Sequence, residues 1–388
     1  MKMGTRSLAV FMVSAVAALG ASACGSSENA ASTGSTAESA VAPGVAKAEA
    51  MVKEAREKPS FVAPGDSFDG PAIAKGKTIF QIPISTEIPY AQALVDSIDY
   101  FGRKVGFKVE TYPTAGKPDQ WARGMDLAIS RHADAIVLTD ATDPRTFLPQ
   151  MRRAQAANIP VITQQFADPA NPINGKYGAA GVGLGYRRAA TLMANYAIWK
   201  TQGKGNILAV DGAPGLPLDT DMREALEATI KANCPDCKLT TISVPIPQWA
   251  TDMTPKVEAA LKADPNINYI LPYYDSQSIY VLPALTAVGR DVPVASFNGT
   301  PEIMKLVRDG KVQMDVSLDT AWIGAGTVDT VMRVLGDIPP NHGSIDQHIP
   351  LRVFDSENIG ELGTGDIAIG AGFGGVAEKG YLELWGMK

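Results

Sequence analysis

The stretch Ala135–Phe166, AIVLTDATDPRTFLPQMRRAQAANIPVITQQF, constrains this chain more than any other. Ala135 to Leu138 is a short apolar run rich in β-branched residues, long enough only for a buried strand. Thr139 to Asp143 form a polar turn, and Asp143-Pro144 supplies an acidic cap and a proline at a helix start. Phe147, Leu148, Met151 and Ala154 fall at helical spacing, and Ile159 to Thr163 returns as a second strand. So short a crossover between apolar strands is a βαβ unit, which makes the strands parallel and puts both carboxyl ends on one edge. Small ligands bind off that edge in open parallel sheets. Asp140, Gln165 and Phe166 are therefore expected to line a site.

The same alternation continues along the chain. Strands are expected at 78–84, 107–112, 206–210, 239–244, 267–271, 292–297 and 312–318, with helices between them and a last clear helix at 321–335. Two successive βα series predict two doubly wound parallel-sheet α/β lobes with a cleft between them as the binding site. A length of 388 residues accommodates this. Hydrophobic content of 45% with 20% charged residues is that of a globular chain, and a net charge of -6 without a basic stripe argues against nucleic acid as a partner.

The N-terminus reads as an export signal. Lys2 and Arg6 precede an apolar or small run from Leu8 to Leu19, too short to span a bilayer comfortably. It ends in Gly20-Ala21-Ser22-Ala23-Cys24, which resembles the lipobox of bacterial lipoproteins apart from Ala21, where leucine is preferred. The resemblance implies a signal peptide over 1–23 and a lipid-bearing Cys24; plain secretion is the alternative. Residues 24–76 are expected to form a tether: a Ser/Ala/Thr/Gly-rich stretch to about Val45, a solvated helix over 46–58, and an extended Pro/Gly-rich segment, with the folded body beginning near Lys77.

Cys234 and Cys237 follow an expected helix C-terminus, whereas a reactive redox pair wants a helix N-terminus. In an exported chain they are read as a disulfide-bonded loop staple. His132, His342 and His348 are scattered, so no metal site is expected. Gly181-Val182-Gly183-Leu184-Gly185 has Tyr186 where a dinucleotide fingerprint needs glycine, and no nucleophile with a nearby base stands out. No cofactor and no enzymatic activity are expected.

Taken together, these features resemble the type I substrate-binding proteins of ABC transporters, the ribose/galactose-binding kind. Ile84-Ser85-Thr86 with Pro89-Tyr90, the segment Ile136–Asp143, Tyr274-Asp275 and Phe297-Asn298-Gly299-Thr300-Pro301 carry the likeness, in order and spacing from Lys77 to about Leu351. The resemblance implies a three-crossing hinge near Ala167, Ser317–Asp319 and His348, with ligand-driven closure. The first lobe would be 77–167 plus 320–347 and the second 168–319 plus 348–388.

By the same resemblance Tyr90 and Trp249 would be aromatic platforms, and Tyr274, Asp275, Asn298 and Asp319 polar contacts. Arg223 points either into the pocket or outward to solvent, and Asp221 is the alternative pocket residue. Gln165-Phe166 stands where relatives carry an Asp-Arg pair, which removes a strong hydroxyl clamp. The expected ligand is a neutral small molecule, a sugar or polyol. The expected protein is a monomer, lipid-anchored outside the cytoplasm, that serves ABC permease subunits. A ligand-sensing receptor of the same fold, or a binder of a less polar or aromatic solute, is the alternative.

Overall fold

The computed structural model describes residues 43–368 and 370–387. The signal segment and Cys24 lie outside the described residues.

Among the described residues, twelve strands build the two lobes. In the first come β1 (Thr78–Pro83), β2 (Lys108–Thr111), β3 (Ala135–Thr139), β4 (Val161–Gln164) and β5 (Ala180–Val182). The second holds β6 (Asn206–Asp211), β7 (Lys238–Ser243), β8 (Tyr269–Pro272), β9 (Ala295–Asn298) and β10 (Met314–Ser317). Next, β11 (Gly343–Ile345) returns to the first lobe and β12 (Arg352–Asp355) to the second.

The first sheet has the order β11-β5-β4-β3-β1-β2 and is parallel throughout. The expected βαβ unit is present: β3 pairs parallel with β4 from Ile136 opposite Val161 to Leu138 opposite Thr163. Asp143 caps the intervening turn by accepting from the Arg145 amide at 2.9 Å. In the second lobe the ladders run β7-β6-β8 and β12-β10-β9, linked by a bridge between Ile270 and Val294. Only β12 is antiparallel to its neighbour. The central strands are buried along their whole length, as parallel strands covered on both faces by helices must be.

Three expected boundaries move. First, β5 belongs to the first sheet, so the crossing expected near Ala167 falls after Val182, and residues 168–182 stay with the first lobe. Its three residues, Ala-Gly-Val, are too few to show a strand period in the sequence. Second, β12 stays with the second lobe as expected, but the C-terminal helix does not. Helix Val376–Leu384 packs on helix Thr320–Gly336 of the first lobe, burying Tyr381 and Trp385 against Trp322.

Third, the folded body begins by Pro43, not Lys77. Helix α1 (Pro43–Glu54) lays Val45, Ala48 and Val52 on helices Tyr186–Lys200 and Pro217–Asn233 of the second lobe. These residues form one apolar stripe, and Lys47, Lys53 and Glu54 are exposed. Arg56 then pairs with the fully buried Asp355. Beyond it, Phe61 packs 4.9 Å from Tyr381 and 5.6 Å from Trp322, between ring centroids. The Phe68 amide donates to Leu384 O at 3.0 Å, and Arg333 donates to Asp66 O at 3.0 Å. Residues 43–70 thus strap the second lobe to the first.

Cys234 and Cys237 are disulfide-bonded at the C-terminal end of helix Pro217–Asn233.

Candidate functional site

The carboxyl ends of both sheets converge on one cavity, partly open to solvent, whose space including that open part is about 640 Å³. From the first lobe come Ile84 after β1, Ile88 and Tyr90 at the start of helix Pro89–Val105, Asp140 and Ala141 after β3, and Gln165 after β4. The second lobe supplies Tyr186, Ala213, Leu216, Leu218, Ile246, Trp249, Tyr274, Ser276 and Asn298. Among the described residues, no lysine, arginine or histidine lines the cavity.

Backbone conformation concentrates here. Asp140 (φ 56°), Ala141 (φ 56°), Gln165 (φ 58°) and Asn298 (φ 146°) are four of the nine non-glycine residues with positive φ among those described. L-residues pay a steric penalty there, so such positions persist where surrounding structure enforces them. After Asn298, Gly299 has no substitute: a Cβ would fall 1.9 Å from Ser317 Oγ.

The polar side chains differ in what they leave free. Gln165 Nε2 donates to Tyr90 Oη at 2.9 Å, and the Tyr186 hydroxyl donates to Gln165 O at 2.9 Å. Trp249 Nε1 donates to Gly212 O at 2.9 Å and to Val244 O at 3.0 Å. The Tyr274 hydroxyl donates to Asp219, whose other oxygen accepts from the Ala213 amide at 2.7 Å. Ser276 donates to Asp275 at 3.1 Å. The Asp140 carboxylate and the Asn298 amide have no protein hydrogen-bond partner among the described residues, and they come from opposite lobes.

Burial raises the Asp140 carboxyl to about 7. Asp219, beneath Tyr274, is raised to about 8, by burial first and by the adjacent Asp211 second. Burial pushes the Tyr90 and Tyr274 hydroxyls well above their usual range, so both stay protonated.

Of the ten residues expected to bind ligand, the structure brings Tyr90, Asp140, Gln165, Trp249, Tyr274 and Asn298 to the cavity. Four are elsewhere. Phe166 is buried beneath the Arg145 guanidinium, 5.5 Å from its ring centroid, because the left-handed turn at Gln165 sends consecutive side chains apart. Asp275 is fully buried and accepts from the Thr300 amide at 2.7 Å, pinning the turn that carries Asn298. Asp319 caps helix Thr320–Gly336 through the Ala321 amide at 2.9 Å. Arg223 is exposed on the outer face of its helix. Asp221, the alternative to Arg223, is also away from the cavity; it accepts from the Asp168 amide, Asn171 and Arg187.

The aliphatic members of the lining escaped sequence reading because they resemble core residues. Leu216 and Leu218 flank a helix-starting proline, which was their one local signal. Tyr186 stands out in the sequence as a helix start and as the residue that spoils a glycine motif, and neither feature points to a ligand.

A family model for the periplasmic binding protein domain matches residues 79–337. The chain is 25% identical to the ribose import binding protein of Escherichia coli (strain K12) over 280 residues, 71% of this chain and 90% of that protein. With the corresponding protein of Bacillus subtilis (strain 168) it shares 21% over 259 residues, 66% of this chain and 81% of that one. Among solved structures, the arabinose transporter binding protein of Shewanella sp. ANA-3 superposes with a TM-score of 0.64 at 17% identity, covering 74% of this chain and 94% of that one. An Agrobacterium vitis solute-binding protein with bound allitol gives 0.63 at 20%, covering 74% and 98%. The match of the family model over most of the chain, with two α/β lobes meeting at a shared cavity, places this chain in the periplasmic binding protein family, with the type I fold of ABC transporter solute-binding proteins.

Proposed function

We propose that the protein is an extracytoplasmic receptor that captures a neutral sugar or polyol and delivers it unchanged to an ABC permease, tethered to the membrane by a lipid on Cys24. The observation that carries this reading is the pair Asp140 and Asn298, uncommitted polar groups presented by opposite lobes to one cavity. A ligand bonded to both favours the closed arrangement by its differential affinity, which is how a binding protein couples capture to shape. With no cationic side chain in the lining, an anionic solute would find no charge partner. Relatives named for ribose, arabinose and allitol support the polyol class.

A thermal-shift screen of the purified protein tests this. Pentoses, hexoses or acyclic polyols raise the melting temperature by mass action if the reading holds. Stabilisation only by aromatic or wholly apolar solutes contradicts it.

A further inference from the structure

Most of the cavity lining is aliphatic or aromatic. Asp140 and Asn298 are its polar side chains with no protein partner among the described residues, while the other polar side chains around it already make at least one bond within the protein. The Tyr186 and Tyr274 hydroxyls and the Trp249 indole N–H are all engaged by protein oxygens, so these residues offer the ligand mainly ring surface. Ile84, Ile88, Leu216, Leu218 and Ile246, from both lobes, form an aliphatic part of the cavity wall. A fully hydroxylated hexose carries donors and acceptors around its whole ring. Seated here, hydroxyls that meet the aliphatic side chains would lose water and gain no partner, and a buried polar group left unpaired is costly.

We infer that the ligand is a partly deoxygenated or O-alkylated sugar or polyol, with its remaining hydroxyls bonded to Asp140 and Asn298 and its apolar surface against the aliphatic wall. This rests on the sugar or polyol reading of the same cavity and narrows it. The Asp140 carboxylate accepts from ligand hydroxyls, and the Asn298 amide donates to or accepts from one on the opposite side. The wall selects by rejecting extra hydroxyls, and Trp249 and Tyr274 provide a ring platform for C–H surface.

The test is calorimetry with matched pairs on the intact protein: D-galactose against D-fucose, D-glucose against 6-deoxy-D-glucose, and each hexose against its methyl glycoside. In at least one pair the deoxygenated or methylated member binds roughly tenfold or more tightly than its parent, the discrimination expected for one unpaired hydroxyl. Ile246→Asn, at a partly buried position lining the cavity, narrows that preference by giving the extra hydroxyl a partner. Parent sugars binding as tightly as their deoxygenated and methylated partners in every pair would overturn the inference while leaving the sugar-receptor reading intact. Binding by no compound in the panel, with stabilisation by solutes that are not polyols, would overturn both.

Discussion

Trp249 and Tyr274 lie with ring centroids 6.3 Å apart and planes 25° from parallel, and each has its polar end held by the second lobe. This arrangement presents a stacked aromatic surface to the cavity while its hydrogen-bonding groups stay satisfied. Trp249→Ala removes half of the platform. It should weaken ligand binding by about 1 to 3 kcal/mol, judged from aromatic burial and stacking. Titration calorimetry of the variant checks this, and unchanged affinity would make Trp249 a packing residue.

Two acids near the site link stability to pH. Burial raises Asp140 to about 7 and, with Asp211 beside it, Asp219 to about 8, both far above the ordinary carboxylate value. A raised folded-state value means that the native state holds protons the unfolded chain releases near pH 4. The contribution is therefore complete below pH 4 and is lost as pH rises, until about 7 for Asp140 and about 8 for Asp219. The ligand-free protein should lose melting temperature between pH 5 and 8. Asp140→Asn should flatten that decline, so its advantage over the parent grows with pH. A parallel pair of curves would contradict the assignment.

The strap predicts a large effect far from the cavity. Arg56→Ala removes an ion-pair partner of Asp355, which is fully buried, and an uncompensated buried charge costs about 3 to 5 kcal/mol. Urea unfolding should show a lowered midpoint of that order, whereas an independent tether over 24–76 would leave the midpoint unchanged.

Asp275 and Arg223 separate supporting positions from outward ones. Asp275→Ala frees the Thr300 amide and loosens the turn holding Asn298, so affinity and stability should both fall, stability by about 1 to 3 kcal/mol. Arg223→Ala, on an exposed helix face, should change stability by no more than about 0.5 kcal/mol and leave affinity unchanged.

What could be read from the chain follows from how each residue announces itself. Asp140 and Gln165 were legible because an apolar run, a cap and a proline define a strand end without reference to the rest of the fold. Phe166, one residue on, was not, since its direction depends on a left-handed backbone at Gln165. Asp319 and Asp275 looked like ligand-binding acids because local sequence does not tell an acid that caps a helix or pins a turn from one that meets a solute. The strap and the C-terminal helix were misplaced for a shared reason: each is a short amphipathic segment whose apolar stripe becomes meaningful only against a partner surface distant in sequence.

Calorimetric titration of the intact protein with its best-stabilising sugar or polyol, alongside Asp140→Ala and Asn298→Ala, tests the central claim most directly. One saturable site is expected, with the ligand recovered chemically unchanged and a loss of about tenfold or more in affinity in each variant, because each lobe contributes one of the two free polar groups. Conversion of the ligand, or full affinity after loss of either side chain, would contradict it.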